Sequence, residues 1–201
     1  YIDHKINGLL FPSWMIKNFS EYKLDKIYLS DDKDPCNEGI PGKITLRNYQ
    51  AFLPKYMGPT SPYHEILLYH NMGSGKTLTV INLMNSLYES NINYNFVILI
   101  KAALYEDPWL ADMKKFLKTE FDNPLDLPTL KKSSVFQRTH FVNFDSPYAD
   151  KAFTDVIKQI DTSLPTLYVI DECHLFIRNV YSNINSEKGK RASSSYDCIV
   201  N

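Results

Sequence analysis

A glycine-rich segment with a lysine and a threonine follows a short apolar run: residues 69–77 read YHNMGSGKT. Glycines let backbone N–H groups turn inward around phosphate oxygens, and a helix that begins directly after them adds partial positive charge. In such a loop Lys76 would reach the β- and γ-phosphates of a nucleotide, and the Thr77 hydroxyl would bind Mg²⁺. The strict pattern has glycine where this chain has His70, so the loop alone leaves open a glycine turn with a solvated lysine. The predicted phosphate-binding loop comprises Gly73, Ser74, Gly75, Lys76 and Thr77.

A pair of acids closes a second apolar run, since residues 166–176 read TLYVIDECHLF. An acid at the end of such a strand holds magnesium in phosphate-loop proteins, and a neighbouring carboxylate can orient and deprotonate an attacking water. Asp171 suits the first role and Glu172 the second. An isolated Asp-Glu pair can simply cap a strand, but this pair follows Lys76 by 95 residues, with strands and helices predicted between them. Together the two motifs predict binding of a magnesium–nucleotide complex.

Alternating strands and helices position both motifs. Apolar runs predict strands at residues 65–69, 95–100, 140–144 and 166–171. Helical spacing predicts helices at residues 44–57, 76–89, 104–118 and 148–160, with Pro108 near the start of the third, and residues 122–139 read as a polar connection. Strands that are short and apolar throughout, and that alternate with helices, indicate an α/β fold. We expect a mostly parallel sheet with helices on both faces.

Length and composition restrict the class of protein. The chain has 201 residues, with 22 basic and 23 acidic side chains, which is enough for one domain with a substantial core. The near balance of charge excludes a general attraction to polyanions, so any nucleic-acid contact needs a local patch. Three widely spaced cysteines argue against a disulfide framework or a zinc site. No apolar run is long enough to cross a bilayer, so we expect a soluble intracellular protein without a membrane partner.

The ends of the chain suggest a piece of a longer protein. It begins with Tyr1 rather than Met, and its last residues, RASSSYDCIVN, are typical of a helix that continues. Residues 1–43 mix aromatic and turn-forming residues, which predicts a less regular N-terminal extension, with residues 31–43 as a linker. Its aromatic side chains are expected to pack, as are Trp14 and Trp109. Residues 44–201 form the predicted nucleotide-binding lobe, incomplete at its C-terminal end.

The motifs MGSGKT and DECH, preceded by LRNYQ, resemble the first RecA-like lobe of superfamily 2 helicases and translocases of the DExH group. More narrowly, LLYHNMGSGKT and its spacing are similar to nucleic-acid-dependent ATPases of large cytoplasmic DNA viruses, of the poxvirus NTPase and early transcription factor types. The resemblance covers about residues 44–201, with Cys173 in the box where alanine is commoner. It implies a RecA-like phosphate-loop lobe that uses ATP and Mg²⁺.

The resemblance also implies roles for residues outside the two motifs. It assigns Gln50 to adenine recognition with Arg47 nearby, which suits an amide that pairs with the base edge and a guanidinium that stacks on the base. His174 would couple the nucleotide site to a partner lobe. Three further residues, which follow predicted strands, would touch the nucleic-acid backbone, although ordinary loops explain them equally well. They are Lys101, Asn143 and Ser146.

By this resemblance the chain is an ATP hydrolase that moves along or remodels DNA or RNA. Its implied partners are a second RecA-like lobe of the same longer chain and transcription machinery, in the host cytoplasm or the virion. Without the second lobe and its arginines, this piece should bind ATP but hydrolyse it slowly. Two alternatives stay open: a non-catalytic ATP-binding scaffold of a viral transcription or packaging complex, and a phosphate-loop phosphotransferase. The implied catalytic residues are Lys76, Asp171, Glu172 and His174.

Overall fold

The computed structural model divides the chain into two compact units, Tyr1–Leu83 and Met84–Asn201. It describes residues 5–23, 46–59, 61–71, 73–90, 93–117 and 126–183. The predicted linker at residues 31–43 and the predicted C-terminal helix at residues 191–201 therefore lie outside the described residues. No helix within the described ranges is long and apolar enough to cross a bilayer.

Within its described residues, the first unit has a small hairpin, three helices and a short helical turn. The division between the units falls inside the third helix. In chain order the elements are β1 (Lys5–Ile6), β2 (Leu9–Leu10), α1 (Phe11–Phe19), a short helical turn (Ser20–Tyr22), α2 (Asn48–Tyr56) and α3 (Lys76–Glu89). The helices predicted at residues 44–57 and 76–89 are confirmed as α2 and α3.

Aromatic side chains join the N-terminal segment to α2. Trp14 and Phe19 of α1 are buried, and the Phe19 ring meets the Phe52 ring of α2 edge-on at 5.2 Å. Tyr56 stacks on Tyr63 at 5.2 Å with an interplanar angle of 4°. Offset and edge-on pairs of this kind add roughly 0.5–1.5 kcal/mol each beyond the area they bury. The expectation that these aromatic residues pack is confirmed.

The strand predicted at residues 65–69 is wrong. That segment has no strand pairing in the part of the chain that the structure describes, and Ile66, Leu67 and Tyr69 are exposed. An apolar run predicts a strand only when a neighbouring strand completes its hydrogen bonds, and composition does not reveal whether such a neighbour exists. The phosphate loop therefore follows an extended connection rather than a strand in this structure.

The described residues of the second unit form an α/β arrangement around three parallel strands. In chain order it has β3 (Asn95–Ile100), a broken helical turn (Tyr105–Leu110), α4 (Ala111–Phe116), α5 (Leu127–Lys132), α6 (Ser134–Gln137), β4 (Thr139–Asn143), α7 (Ala149–Gln159), β5 (Thr166–Ile170) and α8 (Cys173–Asn183). The strand order is β4-β3-β5, with both pairs parallel. Every residue of β3 is buried, as expected for a central strand.

Helical segments cover both faces of this sheet. Side chains alternate along a strand, so Val97 and Leu99 face one way, and both lie in one cluster with Phe153 of α7 and Phe176 of α8. Phe141 of β4 lies on the opposite face. Its ring meets those of Tyr105 and Trp109 edge-on at 4.9 and 6.0 Å. The prediction of an α/β fold with a parallel sheet and helices on both faces is confirmed for this unit.

Two predicted boundaries need correction. The single helix predicted at residues 104–118 is broken at Asp107, which adopts φ −132° and ψ 119°. The reason is Pro108, whose ring pushes the preceding residue out of the helical region and which lacks an N–H to donate. The polar connection contains two short helices that sequence reasoning missed. Asp126 caps α5 by accepting from the Thr129 N–H, and Ser133 caps α6. Hydrogen bonds from the Thr129 side chain and from its N–H lower the pKa of Asp126.

Candidate active site

The phosphate-loop residues form a tight turn directly before α3. Gly73 and Gly75 adopt φ values of 75° and 78°, left-handed conformations that glycine reaches at little cost. The Ser74 hydroxyl closes the turn by donating to the Asn71 carbonyl at 2.8 Å. Because α3 begins at Lys76, its first N–H groups have no carbonyl partner inside the helix and form its positive end. The loop therefore offers backbone donors to an anion.

The Lys76 ammonium is folded back over the loop. Its Nζ donates to the carbonyls of His70 and Asn71 at 3.2 and 3.3 Å. Both acceptors are neutral, so the charged oxygens of a phosphate would be stronger partners for the same ammonium. The next residue, Thr77, is half-buried. The lysine thus lies at the loop, where the motif predicts it.

Two neighbouring side chains of α2 hold the loop. The Tyr49 hydroxyl donates to the Ser74 carbonyl, and the Tyr49 ring meets the His70 ring edge-on at 5.1 Å. The Gln50 Nε2 donates to the Gly75 carbonyl at 3.3 Å. These contacts fix two successive carbonyls of the loop, and through the rigid peptide planes they restrain the adjacent N–H groups.

Gln50 is buried against the loop, with an exposed fraction of 4%. Its Oε1 accepts from the Arg47 N–H at 2.9 Å, while Arg47 itself is exposed. A Cβ on Gly75 would lie 2.5 Å from the Gln50 Nε2, so this close approach requires glycine. Each polar atom of the amide keeps a second hydrogen-bonding position, so the contact with the loop is compatible with the predicted adenine contact.

Asp171 and Glu172 turn the chain from β5 into α8. The Asp171 N–H donates to the Leu99 carbonyl at 3.0 Å, which extends the β3–β5 pairing by one residue. Glu172 has a φ of 51°, a left-handed conformation that is uncommon outside glycine. Its N–H donates to the Asp171 Oδ1 at 3.0 Å. Backbone strain of this kind costs roughly 1–3 kcal/mol and is concentrated at functional sites.

The second oxygen of Asp171 accepts from a buried indole. The Trp109 Nε1 donates to the Asp171 Oδ2 at 2.9 Å, and Trp109 is only 1% exposed. The alternation along β5 explains this contact, because Tyr168 and Ile170 face the α7–α8 side and Asp171 falls on the opposite side. The expected packing of Trp109 is confirmed, but its hydrogen bond was not predicted.

The carboxylate of Glu172 has a histidine beside it. The Glu172 Oε2 lies 3.3 Å from the His174 Nδ1, and the two side chains are 42% and 68% exposed. Both groups are therefore accessible to solvent and to a partner. Cys173 between them is half-buried. Within the described ranges no cluster of three or more His, Cys, Asp or Glu side chains could hold a metal ion by itself. Magnesium commonly uses only one or two carboxylates together with substrate phosphates, so a single acid fits that ion.

The three candidate nucleic-acid contacts lie at the carboxyl ends of two neighbouring strands, β3 and β4, and Asn143 is the last residue of β4. Lys101 comes directly after β3, and its Nζ lies 3.4 Å from the Asp145 Oδ2. The Asn143 Oδ1 accepts from the Asp145 N–H at 3.1 Å, and the Asn179 Nδ2 of α8 donates to the Asp145 Oδ1 at 2.7 Å. The Ser146 hydroxyl accepts from a backbone N–H at 3.2 Å. Of the three candidates, Lys101 contacts the Asp145 carboxylate, Asn143 contacts the Asp145 backbone, and Ser146 contacts the Tyr148 backbone.

With this geometry established, comparison with known proteins identifies the family. The sequence profile described as Type III restriction enzyme, res subunit, matches residues 43–194, which is most of the chain. The chain belongs to that family. Every residue placed above in the loop and in the acidic box falls inside the matched range of this res-subunit family.

Two curated proteins are similar to this family member. A protein of Acanthamoeba polyphaga mimivirus, named as a putative ATP-dependent RNA helicase, is 50% identical over 200 residues, which is 100% of this chain and 24% of that protein. Nucleoside triphosphatase I of Choristoneura biennis entomopoxvirus is 29% identical over 173 residues, 83% of this chain and 24% of that protein. The chain spans about a quarter of the length of each. These matches confirm the resemblance to helicase-type ATPases of large DNA viruses.

Sequence reasoning missed two residues that contact the predicted site in this res-subunit family member. Tyr49 stands next to Gln50 in LRNYQ. The predicted role of Gln50 could therefore have indicated that Tyr49 lies near the site. Trp109 gave a weaker signal, namely that a buried indole N–H normally finds an acceptor. Tyr49 and Trp109 lie outside the two motifs and form hydrogen bonds to atoms of the motif residues. A motif marks the residues that contact a ligand. It does not mark the residues that position them.

Proposed function

We propose that this chain is the ATP-binding and ATP-hydrolysing lobe of a nucleic-acid-dependent motor, a helicase or translocase. The observation that carries the proposal is the phosphate loop: Gly73 and Gly75 in left-handed conformations, the Lys76 ammonium folded over the loop, and α2 gripping its carbonyls. A glycine turn with a solvated lysine would need none of these contacts. Membership of the res-subunit family and the names of both relatives support the same function.

The residues at the loop are suited to binding the nucleotide. Backbone N–H groups of the loop and of the start of α3 would bind the phosphates, and the Lys76 Nζ would leave the His70 and Asn71 carbonyls for phosphate oxygens. Gln50, already on the loop, would bind the adenine edge, and Arg47 would stack on the base. Magnesium, when bound, neutralises phosphate charge, and its protein ligands would be Thr77 and Asp171.

The residues at the acidic box are suited to hydrolysis. Glu172 is half-exposed, and its backbone turns away from the strand, so its carboxylate can meet a water that Asp171 does not bind. We assign Glu172 to orienting that water and accepting its proton. His174, 3.3 Å away, would sense or restrain that carboxylate and couple it to a partner lobe.

The proposal also includes a nucleic-acid strand and a second RecA-like lobe as partners. Lys101, Asn143 and Ser146 would contact the phosphate backbone of a DNA or RNA strand, and the name of the mimivirus relative makes RNA the first to test. A second RecA-like lobe would bring the arginines that accelerate hydrolysis, by roughly three to five orders of magnitude in related hydrolases. We place the protein in the cytoplasm of the host cell or in the virion, beside transcription machinery, because both relatives are viral.

Calorimetry with Mg-ATP tests this proposal on the chain itself. We expect Lys76→Ala to weaken binding at least tenfold, because one charged contact to phosphate is lost. Lys55→Ala, which removes an exposed lysine of α2, is the matched control and should bind as tightly as the wild type. Equal affinity for all three proteins would rule out the loop as the site.

A second variant separates a motor from a scaffold or a phosphotransferase. In the intact protein, Glu172→Gln should retain ATP binding and lose strand-stimulated hydrolysis. If the wild type binds ATP without hydrolysing it and its cellular activity survives Glu172→Gln, the protein uses ATP as a structural ligand. Hydrolysis that survives Glu172→Gln would instead rule out Glu172 as the catalytic base. Transfer of phosphate to a small acceptor would instead indicate a phosphotransferase.

A further inference from the structure

Both oxygens of the Asp171 carboxylate have a donor from the protein. The Trp109 indole donates to Oδ2 at 2.9 Å, and the Glu172 N–H donates to Oδ1 at 3.0 Å. A carboxylate oxygen can accept two hydrogen bonds, so each oxygen keeps one position for another ligand. Two donors on different oxygens also remove the freedom of the carboxylate to rotate. Its remaining acceptor positions are therefore fixed in direction.

Trp109 is itself fixed by burial and by ring packing. The indole is 1% exposed, and its ring meets Phe141 of β4 edge-on at 6.0 Å. Tyr105 packs against the same Phe141, with the two ring centroids 4.9 Å apart. Tryptophan has a single polar group, its indole N–H, and here that group is committed to the Asp171 carboxylate.

We propose that Trp109 is a positioning residue of the metal site, fixing the Asp171 carboxylate in the orientation that binds Mg²⁺. The proposal rests on the role of Asp171 as a metal ligand in the proposed function. Hydrogen-bond partners behind a metal ligand set its orientation, and losing one typically lowers metal affinity by roughly 10- to 100-fold. A buried indole could instead be satisfied by any acceptor, in which case only packing would matter. The two explanations differ in what the indole hydrogen does.

The test removes that hydrogen and keeps the ring. Incorporating 3-benzothienylalanine at position 109 replaces the indole N–H by sulfur with almost no change of shape, and Trp109→Phe is the conventional counterpart. Mn²⁺ affinity would be measured by electron paramagnetic resonance in the presence of ATP, which requires no turnover. We expect both variants to bind Mn²⁺ roughly tenfold more weakly than the wild type. ATP affinity without metal should be unchanged.

Trp14→Phe is the matched control. Trp14 is also buried, but its ring packs against Phe19 and Tyr63 in the aromatic cluster of the first unit. It should lose folding stability and keep the wild-type Mn²⁺ affinity. In this background Trp109 is the remaining tryptophan of the chain, so its fluorescence should be quenched when Mn²⁺ binds with ATP.

The outcomes separate this proposal from the proposed function. Asp171→Asn tests the metal assignment within the proposed function: if it leaves Mn²⁺ affinity unchanged, Asp171 is not a ligand, and the positioning role falls with that assignment. If Asp171→Asn weakens binding but the benzothienyl variant binds Mn²⁺ like the wild type, the positioning role is overturned and the assignment of Asp171 as a metal ligand stands. Should Trp109→Phe fold poorly, the isosteric variant decides alone. Combining it with Asp171→Asn should add no further loss, because the indole acts through that carboxylate.

Discussion

The phosphate loop and the acidic box are built in opposite ways. At the loop, the groups suited to bind a ligand are backbone N–H groups, and side chains of α2 hold them by gripping the carbonyls of Ser74 and Gly75. At the box, the groups suited to bind are side-chain carboxylates, and a backbone N–H and an indole hold the one on Asp171. The loop should therefore be sensitive to changes of backbone conformation. The box should be sensitive to the loss of single hydrogen atoms or charges.

A methyl group on the loop gives the largest expected effect. Gly75→Ala would force a left-handed φ on alanine and bring its Cβ to 2.5 Å from the Gln50 Nε2, so Gln50 would have to leave the loop. We expect Mg-ATP affinity to fall at least ~100-fold, since left-handed strain alone costs about 1–3 kcal/mol and the lost grip adds to it.

Gly73→Ala is the internal comparison for that change. Gly73 has a similar φ, but a Cβ there meets no atom within 4 Å, so only strain remains and we expect about a tenfold loss. Calorimetry on both variants measures the difference. Equal losses would mean that the contact between Gln50 and the loop is unimportant for binding.

The hydroxyl of Tyr49 tests whether side chains really hold the loop. Tyr49→Phe removes the donor to the Ser74 carbonyl and keeps the ring on His70. One neutral hydrogen bond contributes about 1 kcal/mol, so we expect Mg-ATP affinity to fall about fivefold. Tyr181→Phe, which deletes a hydroxyl from a side chain that is 78% exposed, is the control and should bind normally. Unchanged affinity for Tyr49→Phe would show that the loop keeps its shape without the Tyr49 hydroxyl.

The parallel sheet was predictable because its strands are marked by composition. Each of β3, β4 and β5 is a short apolar run, and such runs are typical of strands covered on both faces. The same signal misled at residues 65–69, where the apolar side chains of Ile66 and Leu67 are exposed and no neighbouring strand is described. Local sequence records how apolar a segment is, but pairing depends on residues elsewhere in the chain.

The candidate site was predictable where local motifs define it. The spacing of the motifs indicated Lys76 and Asp171, whose ligand-binding roles remain predictions. It did not indicate which side chains contact these two residues. The contact of Tyr49 with the loop joins residues 25 apart, and that of Trp109 with Asp171 joins residues 62 apart. Such contacts arise from folding alone, because no periodicity or motif connects the two positions. The division of residues 1–43 from 44–201 likewise stays a prediction.

The smallest expected effect comes from removing the negative charge of Asp145. Asp145 lies 3.4 Å from the Lys101 Nζ, with both side chains 36% exposed, so a nucleic-acid phosphate would compete with this carboxylate for the lysine. Asp145→Asn removes the charge and can still accept from the Asn179 amide. We expect affinity for a single-stranded oligonucleotide to rise about two- to threefold, in line with the modest strength of exposed ion pairs.

Salt dependence decides whether charge is the cause. The gain should be present at about 50 mM salt and nearly vanish at about 300 mM, because salt screens exposed charges. Fluorescence anisotropy with labelled RNA and DNA measures it, and Lys101→Gln should weaken binding and abolish the gain from Asp145→Asn. Mg-ATP affinity should not change in either variant, since Asp145 and Lys101 belong neither to the loop nor to the acidic box. A gain that persists in high salt, or in the absence of Lys101, would show that Asp145 restrains the strand ends by shape rather than by charge.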